Sequence, residues 1–197
     1  KDYLPTDFVK AILKLYGDKT TLKDVDGKEI EYLKSKEMLN SCYGMAVTDI
    51  LRSLITFEHD ELWGETPPNR LEEIDKYNKN PQRFLFYPWG IFVTAYARRN
   101  LFSGILECGI DYVYADTDSI KVLNYEKHLK YFERYNKYVS KRLEKACIYH
   151  GFSPERVRPK TIKGVEKPLG VWDDEGLYKV FKTLGAKRYM YLDDGKL

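Results

Sequence analysis

The chain has little of what marks a secreted, membrane-embedded or metal-stapled protein. Its three cysteines, Cys42, Cys108 and Cys147, are odd in number and widely spaced. That pattern argues against a disulfide framework or a zinc site and predicts reduced, buried thiols of the cytosolic kind. No apolar run approaches the roughly 18 residues of a transmembrane helix, and no signal peptide is visible. His59, His128 and His150 are scattered and read as ordinary surface residues. Neither sign of charge dominates: 33 basic residues oppose 30 acidic ones, for a net charge of +3. A total this small does not demand nucleic acid; local clustering has to supply it. Repeats and low-complexity segments are absent as well.

What is present is a foldable composition. The 197 residues are 43% hydrophobic and 32% charged, enough for one large domain or a core with an insertion. Aromatics reach 15%, with 17 Tyr, a residue that fills cores and also stacks on bases. The chain opens at Lys1 without a methionine and enters a helical pattern at once, as expected of a piece of something longer.

Periodicity places the elements. Pro5 to Tyr16 reads as a helix with Phe8, Ile12, Leu13 and Leu15 as its apolar stripe and Gly17 as its end. Asp18 to Gly27 reads as a polar loop, and a second helix runs from about Lys28 to Asn40 or beyond. Ile50, Leu51, Leu54 and Ile55 suggest that helix continuing. Gly64, Pro67-Pro68 and a charged run to Pro81 then mark an insertion with its own short elements, and Arg83 to Tyr87 reads as a strand. Pro88 to Cys108 is the clearest helix, with Ile91, Phe92, Ala95, Phe102, Ile105 and Leu106 as core stripe and Gly109 as end. Tyr125 to His150 is a long amphipathic helix. Leu129, Phe132, Val139, Leu143 and Ala146 face inward and Lys130, Glu133, Lys137, Lys141 and Lys145 face water, with Gly151 closing it. Val171-Trp172, Leu177 to Thr183 and Arg188 to Leu192 alternate like strands. Helices and strands are segregated, which predicts an α+β fold: an antiparallel sheet with long helices packed on one face and an inserted small subdomain. Trp63 and Trp89 read as packing residues.

The stretch around which the chain is organised is Tyr114-Ala115-Asp116-Thr117-Asp118-Ser119. Two β-rich flanks, Ile110 to Val113 and Ile120 to Val122, make the Asp-Thr-Asp the tip of a hairpin. Adjacent carboxylates repel unless a cation neutralises them. Mg²⁺ prefers oxygen and is held by one or two carboxylates plus substrate phosphates, so the sharp reading is metal-assisted phosphoryl or nucleotidyl transfer. The bland reading is a solvated acidic turn. A second stretch, Lys36 to Gly44, puts Lys36, Asn40 and Tyr43 at i, i+4 and i+7 on one helix face. A cation, an amide and a phenol in line suit a triphosphate, a sugar and a base; an ordinary solvated face is the alternative.

Lys36-x₃-Asn40-Ser41-x-Tyr43-Gly44, followed by Tyr114-x-Asp116-Thr117-Asp118-Ser119, resembles in order the second and third conserved motifs of family B DNA polymerases. Between them, Pro88 to Arg98, with Thr94, Ala97 and Arg98 in a Thr-x₂-Ala-Arg pattern, is similar to the helix preceding the catalytic hairpin in the protein-primed branch. Lys167 to Trp172 and Ala186 to Tyr189 resemble that branch's tail, including its Lys-x-Tyr motif. The resemblance implies Asp118 as a direct metal ligand and Asp116 as ligand or positioner, for Mg²⁺ or Mn²⁺. It implies dNTP binding by Lys36, Asn40 and Tyr43, and template contacts at Ser41, Gly44, Thr94 and Arg98. Thr117, Lys187 and Tyr189 would serve the primer terminus, with Tyr114 shaping the tip; Lys187 and Tyr189, two apart on a strand, would share one face. Implied partners are template-primer DNA, dNTPs and a terminal priming protein, with no membrane, in the cytoplasm of a bacterial host of a phage or linear plasmid. In these terms residues 1–47 carry fingers-side helices, 48–87 an insertion of the strand-displacement type, 88–160 the palm helix, hairpin and following helix, and 161–197 the end of the palm.

The family's first motif, with its own metal-binding Asp, does not occur before Lys36, nor do the exonuclease motifs. A fragment, inactive alone as a polymerase, is therefore expected. Two other readings stand beside it. A sugar-nucleotide transferase with an Asp-x-Asp metal site predicts βαβ units before the motif. A non-catalytic DNA-binding module predicts a degenerate site.

Overall fold

The computed structural model of the chain describes residues 3–57 and 63–192; His59, one of the three histidines read as surface residues, lies outside them. Helices α1 (Thr6–Leu22), α2 (Glu29–Ala46), α3 (Arg70–Lys79), α4 (Tyr87–Cys108) and α5 (Leu129–Tyr149) alternate with three hairpins. These are β1 (Leu54–Phe57) with β2 (Trp63–Thr66), β3 (Tyr112–Asp116) with β4 (Ser119–Val122), and β5 (Val180–Gly185) with β6 (Arg188–Leu192). All three pairs are antiparallel, so the fold is α+β. Among the described residues the strands form three separate two-stranded ribbons and no wider sheet. Each strand is short and pairs with its neighbour in sequence; β3 and β4, and β5 and β6, meet across two-residue turns. The chain divides into two units, residues 40–94 and a larger one made of residues 1–39 and 95–197. The smaller unit extends past the insertion predicted at 48–87 at both ends.

In the larger unit the core sits where α1, α5 and the 3-10 turn Pro154–Val157 meet: Leu13, Cys147 and Val157 are buried, and Val9, Leu143 and Phe152 pack around them. The inward and outward faces predicted for α5 are those observed. Its end is a Schellman motif. Gly151 takes a φ of +73°, Phe152 N–H donates to Cys147 O at 2.8 Å and Gly151 N–H to Ile148 O at 3.0 Å, and Phe152 folds back onto the core. Cys108 and Cys147 are buried, Cys42 is partly so, and all three are free thiols.

Helix α1 does not stop at Gly17, and the polar loop predicted over Asp18 to Gly27 is correspondingly shorter. Thr20 Oγ1 donates to Tyr16 O at 2.8 Å and is buried. Tyr16 OH donates to Lys167 O at 3.0 Å. Docking on a distant segment thus carries the helix past its glycine, which costs only about 1 kcal/mol against Ala. The stripe predicted for α4 is also displaced. In the larger unit its buried side runs through Gly104 and Cys108 with Leu101 and Ile105 beside them, while Phe102 and Leu106 are exposed. The contact face is rotated by about one residue, or 100°, because Gly104 lets α4 come down on Trp172 and Ile120. A Cβ there would lie 3.3 Å from the indole and 3.4 Å from Ile120 Cδ1. Ile91, Phe92 and Ala95 are exposed too. His128 and His150 are half-buried, contrary to the surface reading: His150 Nδ1 is 2.9 Å from Thr6 Oγ1, and His128 is engaged as described below. Val171-Trp172 is not a strand; Asn136 captures the Trp172 backbone instead, accepting from its N–H and donating to its carbonyl, both at 2.8 Å.

In the smaller unit, the helix expected to continue through Ile55 ends at Ala46. Asp49 Oδ1 accepts from Leu51 N–H at 2.9 Å, a side-chain turn that competes with the helix, and Leu54 enters β1. Arg83 to Tyr87 is not a strand either: Arg83 N–H bonds back to Asn80 O at 3.2 Å, and Trp89 gathers Phe84 and Phe86 at ring distances of 5.7 and 4.9 Å. Helix α3 begins at an Asn69 cap and is exposed throughout except at half-buried Glu73 and Tyr77, four apart on one side, with Ile74 exposed. Gly90 is needed by packing, since a Cβ would fall 2.0 Å from Val47 Cγ1. Trp63 is largely exposed with its ring 5.1 Å from Phe57.

Candidate functional site

The acidic stretch forms the hairpin its sequence predicts. Asp116 pairs with Ser119, and Thr117 and Asp118 make the tip. Asp118 N–H donates to Asp116 O at 2.6 Å across Thr117, whose φ is +54°. This is a γ-type turn, and a β-branched residue at positive φ is a true outlier. Such strain persists where the surroundings over-determine it and concentrates at functional positions. Thr117 Oγ1 donates to Asp116 Oδ1 at 2.9 Å and Ser119 Oγ to Asp116 O at 3.2 Å. Asp118 points out from the tip, exposed.

The root of the hairpin is laced by Asp111. Its carbonyl accepts from Leu123 N–H at 2.8 Å, and its carboxylate accepts from Asn124 Nδ2 at 2.8 Å and lies 3.1 Å from His128 Nε2. The hydrogen bond from Asn124, then that from His128, holds the Asp111 carboxyl below the usual aspartate range. Asn124 adopts the left-handed conformation, φ +48°, which Asn tolerates better than most residues. Sequence reasoning missed this brace. The only signal was an Asn two residues after a strand, a common turn residue.

Period-two alternation puts Tyr114 and Asp116 on one face of β3, and that face receives the third hairpin. Lys187 N–H donates to Tyr114 OH at 2.9 Å, and Lys187 Nζ donates to Asp116 Oδ1 and Oδ2 at 3.0 and 3.3 Å. The Tyr114 ring lies 5.7 Å from Phe181 and 5.3 Å from Tyr189. Lys187 does not share a strand face with Tyr189 as predicted. It occupies the β5–β6 turn at φ +58°, two residues after Gly185 at φ +135°, and the turn aims its ammonium at the other hairpin. The Lys187 hydrogen bond, then that from Thr117, holds the Asp116 carboxyl below its usual range, and the same contact raises Lys187. Nearby, Lys121 pairs with Glu175 at 3.1 Å and lies 5.0 Å from the Tyr178 ring centroid.

Asp116, Thr117, Tyr114, Lys187 and Tyr189 are therefore brought together, with Asp118 at the adjoining tip. The remaining predicted residues lie on two helices. Lys36 is on α2 in the larger unit; Asn40, Ser41, Tyr43 and Gly44 are on α2 in the smaller unit; all five are exposed. Thr94, in the smaller unit, donates to Ile91 O at 2.9 Å and Gly90 O at 3.2 Å, the ordinary engagement of a helical threonine. Arg98, in the larger unit, is exposed.

As a donor set, Asp116 and Asp118 offer hard carboxylate oxygens of the kind that holds Mg²⁺ or Mn²⁺ together with phosphates. Among the described residues no group of three His, Cys, Asp or Glu side chains converges, so the pair fits a metal that takes its other ligands from substrate, water or another segment. No helix among the described residues is long and apolar enough to cross a membrane. Comparison of the chain with protein-family models, with curated proteins and with solved structures finds no match.

Proposed function

We propose that this chain carries part of the nucleotidyl-transfer site of a template-directed, protein-primed DNA polymerase. The observation that supports it best is the meeting of two hairpins: a strained acidic tip, Asp116 to Asp118, and a turn lysine with its neighbouring tyrosine, Lys187 and Tyr189, docked on the same strand face. In this reading Asp118 and Asp116 hold Mg²⁺ or Mn²⁺, which when bound supplies charge neutralisation for the attacking and leaving oxygens. Lys36, Asn40 and Tyr43 bind the incoming dNTP, with the cation on phosphate and the phenol against sugar and base. Ser41, Gly44, Thr94 and Arg98 contact the template, while Thr117, Lys187 and Tyr189 steady the primer end. The reaction is attack of a 3′-hydroxyl, or of a hydroxyl on a priming protein, at the α-phosphate, with pyrophosphate leaving. Residues 48–87 act in strand displacement in this reading.

A two-metal displacement needs carboxylates from more than one segment. With Asp116 and Asp118 unaccompanied by a third acid among the described residues, the 197 residues bind metal but do not extend primers. Two measurements test this. Mn²⁺ binding followed by electron paramagnetic resonance is expected for the chain and lost in Asp118→Ala. Mg²⁺-dependent primer extension is expected to be absent until a segment with a further metal-binding Asp is supplied. Metal binding that survives Asp118→Ala would refute the assignment of the site. A sugar-nucleotide transferase gains no βαβ unit from the three antiparallel pairs. A non-catalytic DNA-binding module predicts DNA retention with no metal binding at all.

A further inference from the structure

We infer that Lys187 is an exchangeable counter-ion: its ammonium occupies the Asp116 carboxylate until a divalent cation arrives, and its displacement makes it available to a phosphate. The inference rests on the metal reading above and assigns a competitive step to it. Three features carry it. Lys187 Nζ reaches both oxygens of Asp116, at 3.0 and 3.3 Å, so it covers the carboxylate that a divalent cation would need. Its backbone is held independently, by the N–H donated to Tyr114 OH; losing the ion pair therefore frees the side chain without undocking the hairpin. The pair is also open to solvent, with side-chain exposures of 73% for Lys187 and 28% for Asp116. Exposed ion pairs are weak, whereas a divalent ion between Asp116 and the adjoining Asp118 neutralises two charges that otherwise repel. Metal therefore wins the exchange, and an ammonium left beside it is repelled toward anions.

The test is Mn²⁺ binding to the 197-residue chain. Lys187→Met is expected to bind Mn²⁺ about two- to fivefold more tightly than wild type, the factor set by an exposed pair. Lys182→Met, on strand β5 of the same hairpin and exposed, removes the same charge and is expected to leave the affinity within error. A second readout follows the amine itself. Acylation by an N-hydroxysuccinimide ester, mapped by peptide mass spectrometry, is expected to label Lys187 faster when Mg²⁺ is saturating. If wild type binds Mn²⁺ and Asp118→Ala does not, yet Lys187→Met matches wild type and labelling ignores Mg²⁺, this inference falls and the metal site stands. If neither wild type nor Lys187→Met binds Mn²⁺, the metal reading falls and takes the exchange with it.

Discussion

Replacing Asn136 by Ala is the sharpest test of what fixes the tail under the helices. Asn136 grips one residue at both ends: it accepts from Trp172 N–H and donates to Trp172 O, each at 2.8 Å. No regular structure satisfies those two backbone groups, because residues 171–178 form neither helix nor strand. The indole they hold lies against Phe132, Tyr135 and Gly104, at ring distances of 5.8 and 6.2 Å and a projected Cβ distance of 3.3 Å. Each orphaned group in a part-buried site costs about 1–1.5 kcal/mol, the lower end of the range for unsatisfied polar groups. The loss should therefore total about 2–3 kcal/mol, or about 4–12 °C in Tm for a chain of this size. Asn136→Asp should rescue nothing. It keeps the acceptor for Trp172 N–H but turns a second oxygen toward Trp172 O. Urea unfolding followed by circular dichroism gives the free energy, and hydrogen exchange should quicken across 171–192, the segment that carries Lys187. A loss below about 0.5 kcal/mol for Asn136→Ala, well under one net hydrogen bond, would show that the tail is held by ring packing alone.

Other perturbations read out other joints. Tyr114→Phe removes the acceptor of Lys187 N–H and should cost about 1 kcal/mol, with faster exchange at that one amide; unchanged exchange would refute the docking. Gly90→Ala places a Cβ 2.0 Å from Val47 Cγ1 and should destabilise by about 1–3 kcal/mol, whereas Gly104→Ala, with its nearest contact at 3.3 Å, should be felt far less; equal effects in urea titrations would contradict the close approach. Asp111, held below the usual aspartate range by Asn124 and His128, adds stability that is complete above the unfolded-state pKa of about 4. That stability disappears as pH falls through the lower folded value. Asp111→Asn should therefore flatten the acid side of the urea-midpoint curve, and parallel curves for the two proteins would count against the brace.

The readable parts of the sequence were those ruled by local physics. Helix α5 shows its two faces in its own spacing and its stop in Gly151. The acidic hairpin follows from β-rich flanks around a turn-forming Asp-Thr-Asp, and the α+β class predicted from the strand and helix pattern holds because each strand pairs antiparallel with its neighbour in sequence. What stayed hidden depends on partners far along the chain. Gly17 looks like a helix end until Tyr16 finds Lys167. The face that α4 buries was misplaced by one residue because a large-residue stripe outweighed the small residues that permit close approach. Beyond the end of α2 at Ala46, the Asp49 side chain holds a turn where apolar spacing alone suggests continued helix. At the site, both acids, Lys187 and Tyr189 were legible as motif members. The contact of Lys187 with Asp116 is not legible there, since strand spacing puts Lys187 on a face with Tyr189 while its left-handed turn redirects it.

Asp111 has a mechanical consequence. It ties the departing strand to the entering one through Leu123 and Asn124, and ties both to His128, the residue from which α5 starts. Three contacts to one residue close the foot of the ribbon. The direction in which the acidic tip is presented is thus referred to the start of α5, the helix that seats Cys147 in the core.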